Sequence, residues 1–136
     1  MAALHEFVAA QDRVWPQVTA ELRAGRKTGH WIWFVFPQLA ALGRSGTARH
    51  FGLADLAEAT SYLADPVLRA RLEEAAALLL AHEGADPASI LGGVDAMKVR
   101  SSMTLFEAVP GAPPVVAQVL DRLYGGARDP LTLERL

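Results

Sequence analysis

A compact, all-α single domain, a bundle of six to eight helices with a buried aromatic central helix, is the fold expected of this chain, on three observations. Asp-Pro occurs three times, at Asp65-Pro66, Asp86-Pro87 and Asp129-Pro130. Aspartate at an N-cap accepts a bond from an orphan N–H, and proline at the first helical position loses nothing by lacking its own, so each pair marks a helix start. Apolar residues between these starts recur at steps of three and four, the period of a helix with one buried stripe. Alanine and leucine dominate the composition and β-branched runs are missing, which argues against a large sheet.

Taken in order, the elements follow from the same physics. Leu4, Phe7, Val8, Gln11, Val14 and Trp15 share one side of an opening helix; Pro16 either kinks it or starts a second piece running to Leu22, and Gly25 caps the end. The next apolar run, HWIWFVFPQ at 30–38, holds four of the ten aromatic residues of the chain, so it decides where the core lies. Its propensity would suit a strand, but a lone strand has no partner here. A central helix from about His30 to Phe36, with Thr28 as N-cap and Pro37 as terminator, is expected instead. Asp55-Leu-Ala-Glu58 has capping-box spacing and marks another start. From Pro66 to Glu83, Leu68, Leu72, Ala75, Ala76 and Leu79 form the stripe of a long amphipathic helix ending near Gly84. The segment DAMKVRSSMTLFEAV at 95–109 is helical, and Pro114 to Tyr124 carries Val115, Val119, Leu120 and Leu123 before a Gly125-Gly126 stop.

At 136 residues the chain fits one core, and with 51% hydrophobic residues it is too apolar for disorder. The absence of cysteine excludes disulfides, thiolate metal sites and a cysteine nucleophile, and suits a reducing compartment. The N-terminus lacks the basic start and apolar run of a signal peptide, so a cytoplasmic protein is expected. No apolar run, WIWFVF included, approaches the roughly 20 residues that cross a bilayer, and no membrane partner is expected. Residues 1–50 carry a net +3, residues 51–95 a net −6 and the remainder +1. The asymmetry marks either a site for an anion on the first part or two oppositely charged parts that pair with each other. A sequence pI near 6.1 without a basic stripe disfavours nucleic acid.

Two segments carry the chemistry. In GRKTGHWIWFVFPQLAALGRSG, the apolar run is bracketed by Arg26, Lys27 and His30 on one side and by Arg44 and Ser45 on the other. In the second, Asp95, Lys98 and Ser102 stand at i, i+3 and i+7, on one helix face, flanked by Ser101 and Thr104, with Met97 among the apolar remainder. A lysine and hydroxyls beside an aromatic wall supply donors and a stacking surface for a phosphate, a carboxylate or a base-containing ligand. The bland alternative has Asp95–Lys98 as a solvated pair and the hydroxyls bonded back to helical carbonyls. His30 can serve as a proton carrier, or it can simply brace a loop. Trp31 and Trp33 cannot both face one side of a helix, so one belongs to the core and one borders a groove. No metal-ligand spacing, dinucleotide fingerprint, P-loop or nucleophile elbow is present; no metal and no cofactor is expected.

These segments in this order, with EATSYLADPVLRARL between them and GGARDPLTLERL after them, resemble the family catalogued as domain of unknown function 1810, over about residues 5 to 136. The resemblance implies a small, mostly helical bacterial protein without an established activity. Some members are labelled calpastatin, a name that does not fit a chain with capped helices and this aromatic content. The family signature falls on Lys27, His30, Trp31, Trp33, Phe36, Pro37, Gln38, Gly43, Ser45, Lys98, Ser101, Ser102 and Thr104. Ala41 departs from it where glycine is more usual, which bears on local backbone geometry. The expectation is therefore a cleft between residues 26–45 and 95–106 that takes a small anionic or nucleotide-like ligand. Lys27, Arg44 and Lys98 would neutralise charge, Ser101, Ser102 and Thr104 would hydrogen-bond, and Trp31 or Trp33 would stack. Gln38 and Ser45 complete the set, and His30 is the candidate catalytic residue. The alternative is a non-enzymatic protein-interaction module. A monomer is expected.

Overall fold

Each Asp-Pro pair begins a helix, with the aspartate as N-cap and the proline as its first residue. The computed structural model describes residues 2–136. Its α-helices are α1 (Leu4–Ala24), α2 (Ile32–Val35), α3 (Gly46–His50), α4 (Leu56–Ala64), α5 (Pro66–Leu80), α6 (Pro87–Leu91), α7 (Gly93–Glu107), α8 (Pro114–Leu123) and α9 (Pro130–Leu133). A 3-10 turn covers Ala40–Leu42. The fold is all-α: among the described residues the nearest approach to a sheet is one parallel bridge, Leu39 to Leu53. Among the described residues nine helices stand where six to eight were expected, because α2, α3, α6 and α9 are turns of four or five residues, a length at which periodicity carries little signal.

The caps are made as the residue types require. Asp65 accepts from the N–H groups of Val67 and Leu68 at 2.9 and 3.1 Å, Asp86 from Ala88 at 2.9 Å, and Asp55 from Glu58 at 3.0 Å. Gly25 closes α1 at φ 71°, a left-handed conformation that suits glycine. Pro16 lies inside α1 without ending it. The carbonyl it leaves unpaired belongs to Asp12, and both residues are exposed, so water can take that bond. Helix α5 stops at Leu80, four residues before Gly84, and the chain turns through 81–84 instead.

Two helices organise the packing. Helix α5 buries the expected stripe of Leu68, Leu72, Ala75, Ala76 and Leu79, and lies against α1, α4 and α8. Helix α7 packs on α4, α6, α8 and α9, and α2 touches α1, α5 and α7. The buried apolar residues form one continuous core. At its aromatic centre Phe7 and Tyr62 meet edge-on at 5.2 Å, with Phe106 against Tyr62 at 5.2 Å. Gln11, 1% exposed, is satisfied inside this core: its amide donates to the Phe34 carbonyl at 2.6 Å and to the Tyr62 hydroxyl at 3.1 Å. Burial pushes the Tyr62 hydroxyl's pKa up, so it stays neutral.

The aromatic segment is buried but barely helical. A helix over His30–Phe36 was expected, and only Ile32–Val35 forms one, because both ends are held elsewhere. Trp31, not Thr28, precedes the helix, at φ −126° and ψ 5°. At the other end Pro37 disfavours helical geometry in Phe36, which sits at φ −125° and ψ 71°. Beyond it, Ala40 donates to the Leu53 carbonyl at 2.8 Å and Leu53 to that of Gln38 at 2.9 Å, tying residues 38–40 to the start of the α4 region. Gly52 permits this approach, since a Cβ there would lie 2.4 Å from the Ala40 Cα. Ala41 sits in the 3-10 turn without strain; no described residue other than glycine has a positive φ.

Candidate functional site

The loop before α2 is built around Glu21. Its carboxylate accepts from the N–H groups of Thr28 and Gly29 at 2.8 and 2.9 Å, from the Trp31 indole at 3.0 Å and from the Gln17 amide at 2.7 Å. Burial pushes this carboxyl up, but the N–H groups of Gly29 and Thr28, then Gln17 and Trp31, outweigh it and hold it at about 2 against an ordinary 4.5. Lys27, its side chain only 5% exposed, pairs with Asp95 at 2.6 Å, donates to the Gly29 carbonyl and lies 4.8 Å from the centroid of the Trp31 ring. Its backbone N–H donates to Ile90 at 2.8 Å. The +3 and −6 parts of the chain therefore meet here, and Lys27 and Asp95 spend their charges on each other.

A second lysine is disposed differently. Lys98, on α7, lies 5.6 Å from the centroid of Trp33, which is half-buried, while Trp31 is 1% exposed. Trp31 is thus the core tryptophan, while Trp33 lies under the Lys98 ammonium and outside the cleft lining. Lys98 and Arg44 both line a cleft of about 620 Å³, and among the described residues neither has a carboxylate within 4.0 Å. One wall is residues 38–48, contributing Gln38, Ala41, Leu42, Gly43, Arg44, Ser45 and Ala48. The other is the α7 face Val94, Met97, Lys98 and Ser101, joined by Asp129 and Leu131 at the start of α9. A volume of this size is that of a small-molecule site.

Beneath the lining, Ser101 and Asp129 belong to a buried polar network in which the Arg100 Nε is left without a partner. The Ser101 hydroxyl donates to the Asp129 carboxylate at 3.1 Å, which also accepts from the Thr132 hydroxyl at 2.6 Å and the Thr132 N–H at 3.0 Å. Arg100 stands 3.5 Å from the same carboxylate, and the Asp129 N–H donates to the Thr104 hydroxyl at 3.0 Å. Arg128 fixes the preceding loop by binding Glu107 of α7 and Asp121 of α8. The rim, by contrast, is apolar and open: Val94, Met97 and Leu131 are 68%, 64% and 57% exposed.

Of the residues expected at the site, Gln38, Arg44, Ser45, Lys98 and Ser101 line one cleft. Trp33 supports Lys98 from below. Ser45 also caps α3, accepting from the Ala48 N–H at 3.1 Å. Lys27 and Trp31 are committed to the Glu21 loop. His30 is exposed and lies outside the cleft lining. Thr104 donates to the Arg100 carbonyl at 2.8 Å, and Ser102 is fully buried with a hydroxyl that finds no partner. The face of α7 that lines the cleft is therefore 94/97/98/101 rather than 95/98/102, about a quarter turn away. Val94 and Met97 could have been found from their i, i+3, i+4 and i+7 spacing with Lys98 and Ser101. Asp129 and Leu131 carry no such signal, since they reach the cleft from 28 residues further along. His82 is half-buried and donates from Nε2 to the Leu22 carbonyl at 2.7 Å, closing the end of α1. Among the described residues no three His, Asp or Glu stand as metal ligands, and no helix is long and apolar enough to cross a membrane.

Comparison with known proteins agrees with this architecture. The crystal structure of the conserved hypothetical protein Rv1873 from Mycobacterium tuberculosis superposes with a TM-score of 0.94 at 44% identity, over 98% of this chain and 95% of that one. No curated protein matches the chain. The model of the family described as protein of unknown function (DUF1810) matches residues 1–136. With the whole length matched, this chain belongs to the DUF1810 family.

Proposed function

We propose that the cleft between residues 38–48 and the 94/97/98/101 face of α7 binds a small anionic ligand. One observation carries the reading: two cations, Lys98 and Arg44, line the same cleft with no carboxylate partner among the described residues, while Lys27, the other candidate cation, is neutralised by Asp95. An unpaired cation in a partly desolvated cleft gains most from an anion that brings its own negative charge, because charge-assisted hydrogen bonds are the strong ones. Trp33 holds the Lys98 ammonium over its ring, so less side-chain freedom is lost on binding. Gln38 and Ser45 add neutral donors. The exposed apolar side chains rim a concavity rather than a flat patch, which favours a small ligand over a docked protein. The reading is one of binding: His30, the candidate proton carrier, is not part of the lining. The lack of cysteine supports a cytoplasmic setting.

The experiment is a thermal-shift screen of nucleotides, sugar phosphates and carboxylates on the parent protein and on Lys98→Ala. Anions raise the melting temperature of the parent and fail to raise that of the variant. Shifts of equal size in both proteins, or none in the parent, reject the cleft as an anion site.

A further inference from the structure

Resting on that reading, we infer that the anion is an aliphatic monocarboxylate, its carboxylate between Lys98 and Arg44 and its chain along Val94, Met97 and Leu131. The lining contains no aromatic ring. The two rings best placed to stack on a base are already used, Trp31 buried beneath Lys27 and Trp33 beneath Lys98. A nucleobase would therefore find aliphatic and thioether surface where it needs a π-face, while an alkyl chain would find a match. Val94, Met97 and Leu131, each more than half exposed, offer that surface at the rim, and methionine adapts to chains of varied shape. Charge narrows the class further. Asp129 also lines the cleft, so a second negative charge on the ligand meets a carboxylate as well as the two cations. A singly charged head suits this balance better than a phosphate monoester.

Isothermal titration of butanoate, hexanoate and octanoate into the full chain tests the assignment, with octan-1-ol and AMP as controls. Kd falls about two- to fourfold per added methylene, the range expected of an alkyl chain leaving water for a half-open groove. Octan-1-ol binds at least tenfold more weakly than octanoate. Met97→Gln, at an exposed position that folding tolerates, flattens the chain-length dependence, and Lys98→Ala weakens every carboxylate. Tight AMP binding without chain-length dependence overturns the aliphatic assignment and leaves the anion cleft standing. Octanoate binding that neither variant alters also overturns it, and binding of no anion overturns both readings. Sedimentation with phosphatidylglycerol vesicles, without binding of free octanoate, assigns the alkyl contact to a lipid surface and overturns the soluble ligand.

Discussion

Glu21 accepts N–H groups from Thr28, Gly29 and Trp31, and thereby fixes the turn that delivers the aromatic segment to the core. Glu21→Gln removes the charge from these bonds and is expected to cost about 1–3 kcal/mol, since hydrogen bonds to charged groups are worth more than neutral ones. The folded carboxyl sits at about 2 and the unfolded one near 4.5, so its contribution is complete above pH 4.5 and is lost as pH falls towards 2. Urea unfolding of parent and variant across that window should show the stability gap narrowing with acid; a constant gap would contradict the role given to the charge. Ser102 makes the opposite prediction. Its buried hydroxyl has no partner, so Ser102→Ala should leave stability unchanged or raise it by about 1 kcal/mol, measured in the same way. A loss of more than 1 kcal/mol would show a hydrogen bond at that hydroxyl after all. Neither role was visible in the residue type: Glu21 looks like any exposed helical acid, and three of its partners lie seven to ten residues away in a loop without periodicity.

Helix α7 is where local sequence came closest to the site and where a small rotation mattered. Spacing identified the helix and Lys98, yet the stripe containing Asp95 and Ser102 turns towards Lys27 and the core. Sequence periodicity defines faces but does not say which neighbour each face meets. The helix starts were legible because Asp-Pro makes its own cap, and Pro37 marked where α2 stops; the start of α2 was not legible, because Glu21 holds the preceding loop from outside. Helix α9 shows how a four-residue element shapes the cleft. Asp129 caps it, receives Ser101 and Thr132, and stands by Arg100, all at a residue 6% exposed. Asp129→Ala should cost about 2–4 kcal/mol from the lost cap and the bonds left unmade. It should also release Leu131, read out as faster amide exchange at residues 131–134 than in the parent. Exchange unchanged there would mean that packing alone holds α9.

In the whole molecule, some charges join parts of the fold and others stay outside any ion pair among the described residues. Lys27 with Asp95, Arg71 with Asp12, and Arg128 with Glu107 and Asp121 join distant parts of the chain. Lys98 and Arg44 remain outside these pairs and share a cleft. The sequence carried the all-α class, the α5 stripe and five of the cleft residues, because capping and periodicity are local. It did not carry the closing of the cleft by α9, which depends on Asp129 meeting Ser101 across the fold. Amide chemical-shift mapping of the parent protein, titrated with an anion that raises its melting temperature, addresses the proposed site directly. Perturbations should cluster at residues 38–48, 94–101 and 129–131; a cluster around Arg26 to Trp31, with Lys98 and its neighbours unmoved, would contradict it.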